Sequence, residues 1–467
     1  MSASAILENF QAYAEGLIDT HHLPAISLAV WHKNQLHQAA AGILNIETSV
    51  EATTDSIFQI GSISKVMTAS VVMQLVDEGK VVLDKPVKHY IRDFAIADAD
   101  ATKKITVRHL LNHSNGISGD YCPDDTHDTG DLIARYVDRC NQLPLVHPVG
   151  ECYSYSNAAF AIAGRLIEVI TGGSWFDAIE ERIFQPLGMG HSICRPMDVL
   201  RYRAAIGHVL SGSDQSNAWQ QAKNLYLTLG LAPAGAAITM SAADVITFAR
   251  AHINKGLPPD GHRWLSEESV VQMQTPQIEL PSLSSAVTSH MGLSWGLHQV
   301  NVSGRLIFGH GGGTFGQMSM LRIVPDRDLC IAVLVNCENA EVAYQTVINE
   351  LLKELGDIDL TEPKPTYINT SSEQHACYVG DYGSPGEHYS IALEGNELVA
   401  TYQDIVVGSA AIKLTLKAID KSLWATFDEK GCAVGKLRFL QPDAQGHYRY
   451  LFNTRMLPRI SHIKNSH

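Results

Sequence analysis

The chain has no run of eighteen consecutive apolar residues, so no segment has the length and hydropathy of a membrane-spanning helix. It has no CxxC pair and no HExxH, which removes zinc-ribbon and helical metalloprotease sites; 21 histidines do not by number make a metal site. No basic run is present, and a formal charge of −14 repels nucleic acid and anionic membrane. Eight cysteines, Cys122, Cys140, Cys152, Cys194, Cys330, Cys337, Cys377 and Cys432, are scattered without a scaffold spacing and are expected as reduced thiols. The opening MSASAILENFQAYAEGLIDT lacks the basic start and apolar stretch of a secretory signal, so it reads as an amphipathic helix and a cytoplasmic location is expected. No cofactor or metal is expected, and the partners expected are small molecules or peptides, with the oligomeric state left open.

The 467 residues, 45% hydrophobic and 18% charged, are those of an ordinary globular protein of two or three domains. AISLAVWHKNQLHQAAAG reads as a hairpin. Apolar spacings of three and four then mark helices after Ser62, from Thr106 (TVRHLLNH) and from Asn157 (NAAFAIAGRLIEVITGG), and Ser241 is an N-cap for another. MGLSWGLHQV, GRLIFGHGGG, QMSMLRIVP and DLCIAVLVN read as strands. Strands from both ends can join one antiparallel sheet with the central helices clustered on its face, an α+β arrangement. Two prolines among polar residues make 357–374 a linker, and the short alternating runs over 375–467 suggest a small all-β barrel.

QIGSISKVMTASVVMQLVDEG (59–79) carries the first candidate chemistry. Ser62 and Lys65 stand three apart, on one face of a helix whose apolar stripe and terminal Gly79 point to burial. A lysine there faces both desolvation and the positive end of the macrodipole, so it is either an exposed side chain snorkelling to water or a pKa-depressed base beside a nucleophilic serine. Such a pair needs a second proton carrier and oxyanion donors, which Y-x-N and H-x-G patterns could supply. Each pattern occurs twice, and context separates the copies. Ser461/Lys464 is too near the chain end, Tyr367/Asn369 lies in the linker, and His290/Gly292 has a single following glycine. Tyr155/Asn157 precedes a long helix, and His310 opens a glycine run that lets a substrate approach the backbone.

GSISK, ITVRHLLNHSNG, HPVGECYSYSN, FQPLGMGHS, LAPAG and FGHGGGTFG, in that order, resemble the serine β-lactamase and penicillin-binding-protein superfamily, in its class C-like branch of esterases, D-amino-acid peptidases and related hydrolases. The resemblance implies a β-lactamase/transpeptidase-like domain over 1–356, and 375–467 resembles the lipocalin-like barrel attached to some D-aminopeptidases and peptide-cyclising thioesterases. It further implies that Ser62 is acylated, that Lys65 takes its proton, that Tyr155 relays a proton to the leaving group and that Asn157 holds Lys65 and the substrate amide. Ser62 and Gly313 N–H groups would form the oxyanion hole, with Gly311, Gly312 and Thr314 along the substrate.

His310 stands where β-lactamases of this branch carry a lysine. A permanent cation is thereby exchanged for a group expected to titrate near neutrality, which argues against efficient β-lactam hydrolysis. His109 and His113 read as structural, and the acidic loop CPDDTHDTGD (122–131) as a solvated turn or a lid. Three functions follow. The first is hydrolysis of a small acyl ester or of a D-residue-containing peptide. The second is transfer of the acyl group to an amine, which would cyclise a carrier-bound peptidyl thioester. The third is a non-catalytic sensor or scaffold that keeps the fold.

Overall fold

The computed structural model describes residues 3–123, 130–211, 218–258, 261–283, 289–299, 305–338, 340–362, 364–406, 408 and 410–460. Ser461/Lys464 and the centre of the acidic loop, 124–129, lie outside the described residues. The single helix expected at the start is two, Ala3–Glu8 and Phe10–His21 (α1), broken at Asn9, a residue whose side chain competes for backbone hydrogen bonds. β1 (Ala25–His32) and β2 (Gln35–Asn45) pair through Lys33 and Asn34, both at positive φ as a two-residue hairpin turn requires. After β3 (Val50–Glu51) come the helices α2 (Ser64–Asp77), α3 (Val107–Leu111), α4 (Asn157–Thr171) and α5 (Ala242–Ile253). Thr106, Ser156 and Ser241 cap α3, α4 and α5 by accepting from the third backbone N–H of each.

The returning strands are β4 (Ile278–Glu279), β5 (His290–Met291), β6 (Gly296–Gln299), β7 (Leu306–Thr314), β8 (Gln317–Val324) and β9 (Leu329–Val335), followed by α6 (Glu341–Gly356). They complete an antiparallel sheet in the order β3-β2-β1-β9-β8-β7-β6-β5-β4. MGLSWGLHQV, expected as one strand, is two: Gly292 N donates to Trp295 O at 2.8 Å across a turn with Ser294 at φ 73°, and Trp295 is fully buried. On β1, Ala25, Ala29 and Trp31 face the central helices, while Ile26, Leu28 and Val30 face α1 and α6. β9 is buried on both faces in the same way, which is why DLCIAVLVN is almost continuously apolar.

Eight further strands, Gly380–Gly383 (β10), Glu387–Glu394 (β11), Glu397–Asp404 (β12), Ile412–Ala418 (β13), Leu423–Phe427 (β14), Ala433–Pro442 (β15), Tyr448–Phe452 (β16) and Met456–Ile460 (β17), close into a barrel. The segment leading to it lies against its wall: Lys436 pairs with Glu362 at 2.9 Å and Ile368 N donates to Ala418 O at 2.9 Å. The β16–β17 hairpin reaches across to the helices. Tyr155 N donates to Thr454 O at 3.2 Å, Met456 N donates to Ser154 Oγ at 3.1 Å, and Phe452 and Met456 share an apolar cluster with Val146, Tyr153 and Met291. Burying those two side chains contributes about 2 kcal/mol each, enough to fix the barrel in place.

Candidate active site

Ser62 lies in the 3-10 turn Gly61–Ile63 that leads into α2, and this turn is held open by Gly61 at φ 50°. A side chain there would meet β7, since a Cβ on Gly61 would stand 2.5 Å from Gly313 N. One turn on, Lys65 is 0% exposed. Its Nζ reaches Ser62 Oγ at 3.0 Å, Asn157 Oδ1 at 2.7 Å and the carbonyl of Ala234. Burial foremost, and then the nearby Arg455 charge, hold its pKa well below the ordinary lysine range, with Asp120 opposing.

Donor counting then orients the proton. Asn157 Nδ2 donates to Asp120 Oδ1 at 2.9 Å, so the amide oxygen faces Lys65. A neutral amine has two N–H donors and one lone pair. The Asn157 and Ala234 oxygens can only accept, so the lone pair is left for the Ser62 hydroxyl.

Tyr155 is half-buried and hydrogen-bonded to Ser62. Burial raises its phenol above the ordinary range despite that bond. His113 stacks beneath the Tyr155 ring at 4.5 Å, and its Nδ1 accepts from Ser156 N at 3.0 Å. On the other side His310 has its ring 6.2 Å from that of Tyr155, and its Nδ1 donates to Gly311 O at 2.5 Å. The near-neutral titration expected for His310 does not hold: burial, and then Lys65, push its pKa down to about 3. His310 is therefore a neutral imidazole with Nε2 left to accept.

Two residues that sequence reasoning missed complete the network. Arg455, at the tip of the β16–β17 hairpin, makes a forked ion pair with Asp120, Nη2 to Oδ1 at 3.0 Å and Nε to Oδ2. Its guanidinium stands 5.3 Å from the Tyr155 ring centre. Burial would lower its pKa, but Asp120 holds it above the ordinary arginine range. Two cavities flank Ser62. One of about 330 Å³ is bounded by Asp120, Asn157, Gly313 and, from the barrel, Glu387 and Arg455. The other, about 530 Å³, is bounded by Tyr155, His310, Gly311, Gly312 and Arg322. Both are of small-ligand size.

Residues 10–351 match the family model described as Beta-lactamase. The chain belongs to the β-lactamase family. Penicillin-binding protein 4 of Amycolatopsis lactamdurans is 38% identical over 361 residues, which are 76% of this chain and 91% of that one. Among solved structures, SurE aligns with 98% of this chain and 100% of its own at a TM-score of 0.79 and 24% identity, and it has also been solved with D-Leu. A D-amino acid amidase from Ochrobactrum anthropi SV3 aligns at a TM-score of 0.60 and 20% identity, over 75% of this chain and 97% of that one. These two share the fold, and the SurE match runs through the barrel. Family members are generally hydrolases of the β-lactamase and penicillin-binding type.

In this β-lactamase-family protein Ser62, Lys65, Tyr155, Asn157 and His310 come together, and the Ser62 turn packs against β7, a Cβ on Gly61 standing 2.5 Å from Gly313 N and one on Gly312 2.8 Å from Ser62 N. Thr314 does not line either cavity, and its hydroxyl is buried without a hydrogen-bond partner. The rejected Tyr367 packs edge-on against Phe427 on the barrel wall at 5.8 Å. His109 closes the cap of α3 as a structural residue, its Nδ1 accepting from Thr106 N at 3.2 Å.

Gly312 is the tightest point of the site: a Cβ would stand 2.0 Å from Ile60 O and 2.8 Å from Ser62 N. Gly312→Ala is expected to cost roughly 1–3 kcal/mol and to slow acylation, because β7 must leave the Ser62 turn. Gly311→Ala has the flexible Met320 Cε as its nearest contact, at 3.1 Å, with backbone no closer than Ser319 O at 3.6 Å, and should cost less. Urea unfolding midpoints and ester turnover compare the two.

Proposed function

We propose that this protein is a serine hydrolase that cleaves an ester or amide through an acyl-enzyme on Ser62, acting on small acyl esters or D-residue-containing peptides. In this reading 1–356 is the catalytic domain and 375–467 a lipocalin-like barrel that closes over it. The observation that carries the reading is the buried Lys65 amine, 3.0 Å from Ser62 Oγ, with its other two partners able only to accept.

Ser62 Oγ attacks the carbonyl while its proton passes to Lys65. The oxyanion is met by the Ser62 and Gly313 N–H groups. Tyr155, kept protonated by its raised pKa, gives its proton to the leaving group and recovers one from Lys65. The amide of Asn157 is fixed by Asp120 so that its oxygen holds Lys65, and Gly311 and Gly312 offer a side-chain-free edge to the substrate. Neutral His310 supplies no cation, which argues against efficient β-lactam turnover. The D-configured acyl donor is supported by SurE having been solved with D-Leu and by a D-amino acid amidase sharing the fold.

A fluorophosphonate should leave its adduct on Ser62, and hydrolysis of p-nitrophenyl esters should be lost as labelling proceeds. An unlabelled Ser62 with intact turnover would defeat the reading, and an unlabelled, inactive protein would favour a binding protein. Transfer to an amine uses the same acyl-enzyme and is read from product mass, a cyclic peptide being one water lighter than the acid.

The pH profile of kcat/KM should show an acid limb from Lys65, which works only as the free amine, at a pH well below the ordinary lysine range. No alkaline limb from Tyr155 should appear below about pH 10, since its pKa is raised above the ordinary tyrosine value near 10. A profile that falls between pH 8 and 10 would contradict these roles.

A further inference from the structure

The acylation chemistry leaves Arg322 unused. On β8 it pairs in register with Gly309, and a Cβ on Gly309 would stand 3.1 Å from Nη1, so the guanidinium lies over β7 where no side chain intervenes. Nη1 donates to Leu321 O at 3.0 Å. Among the described residues no carboxylate pairs with Arg322, in contrast to Arg455 with Asp120. Burial pushes its pKa down to about 10, with Tyr344 opposing, as befits a cation without a counter-charge.

Arg322 faces open space on two sides. It lines the cavity of about 530 Å³ that begins at Ser62, and an adjoining cavity of about 860 Å³ beneath the barrel, walled by Tyr389, Tyr402 and Leu414; Met320 and Tyr344 are common to both. β6 pairs with β7 only as far as Gly309, so the β7 backbone from His310 to Gly313 is an edge along which an extended chain can lie. Gly309 is four residues from Gly313, about 13 Å along the strand.

We propose that Arg322 binds the carboxylate of a substrate that runs from Ser62 along the edge of β7 toward the barrel, the acid group lying three to four residues from the acylated carbonyl. This rests on Ser62 as the acylation site. It makes the substrate class a peptide of at least four residues with a free acid end. The acid requirement has a length threshold, because a shorter chain cannot reach the guanidinium.

The test uses the full chain and follows the rate at which a fluorophosphonate labels Ser62 in the presence of N-acetylated D-alanine peptides of two to five residues, each as free acid and as carboxamide. In the wild type the acids should protect about tenfold better than the amides from four residues upward, with no difference at two. In Arg322→Gln the acid-to-amide ratio should fall to about one, and Arg322→Lys should restore part of it. A ratio of one at every length in the wild type overturns the assignment, as does a ratio that survives in Arg322→Gln or a lack of protection by both series. Failure to label Ser62 at all would remove the acyl-enzyme reading itself, and this inference with it. Normal labelling with no acid preference removes the inference alone.

Discussion

Lys65→Met is expected to lower kcat/KM for p-nitrophenyl esters by roughly 10²–10⁴-fold, the usual contribution of a positioned general base. Methionine keeps the length of the side chain but cannot accept the Ser62 proton. The same substitution should shift the thermal midpoint by only a few degrees. It removes a fully buried, desolvated amine and leaves the Asn157 and Ala234 oxygens without a donor, and the two effects oppose. Activity lost with the fold retained is the signature of a base. A variant that keeps a tenth or more of the wild-type rate would show that Lys65 is a packing residue.

Arg455→Ala is expected to act on both stability and proton transfer. The side chains of Arg455 and Asp120 are 26% and 14% exposed, between a surface pair and a buried one, so removing the arginine should cost about 2 kcal/mol. The more telling effect is on Lys65. Arg455 pushes the Lys65 pKa down and Asp120 pushes it up, so without the arginine the uncompensated carboxylate raises it. The acid limb of the kcat/KM profile should therefore move to higher pH, with activity at a pH on that limb falling about tenfold for each unit of movement and returning as pH rises. Asp120→Asn in the same protein should move the limb back. An acid limb unchanged in Arg455→Ala would show that the hairpin is a tether and does not set the Lys65 charge.

The pairings visible in the sequence are local ones. Ser62 and Lys65 are one helical turn apart, the cap at Ser241 lies within three residues of what it binds, and β1 and β9 declare themselves by apolar content. The order of motifs along the chain then carried Tyr155, Asn157 and His310 to the same site. Asp120 and Arg455 escaped because 335 positions separate them and neither stands in a pattern that a short motif describes. The turn at Ser294 escaped for a related reason: Met291, Leu293, Trp295 and Leu297 alternate through MGLSWGLHQV as in a single strand, and burial of Trp295 decides where it folds back.

Side-chain chemistry, helical period and strand alternation act over a few residues, so the linear order of amino acids was sufficient for most of the elements, the α+β arrangement, the barrel and the candidate nucleophile with its amine, but not for the breaks at Asn9 and Ser294. Charge state was not available at that level. Whether Lys65 and His310 are neutral depends on what is packed around them: burial comes first for both, followed for Lys65 by Arg455 of the barrel hairpin and for His310 by Lys65. Electrostatic environment is a sum over groups that only the folded chain brings within a few ångströms, so the pKa of His310 and the uncompensated charge of Arg322 emerge in three dimensions.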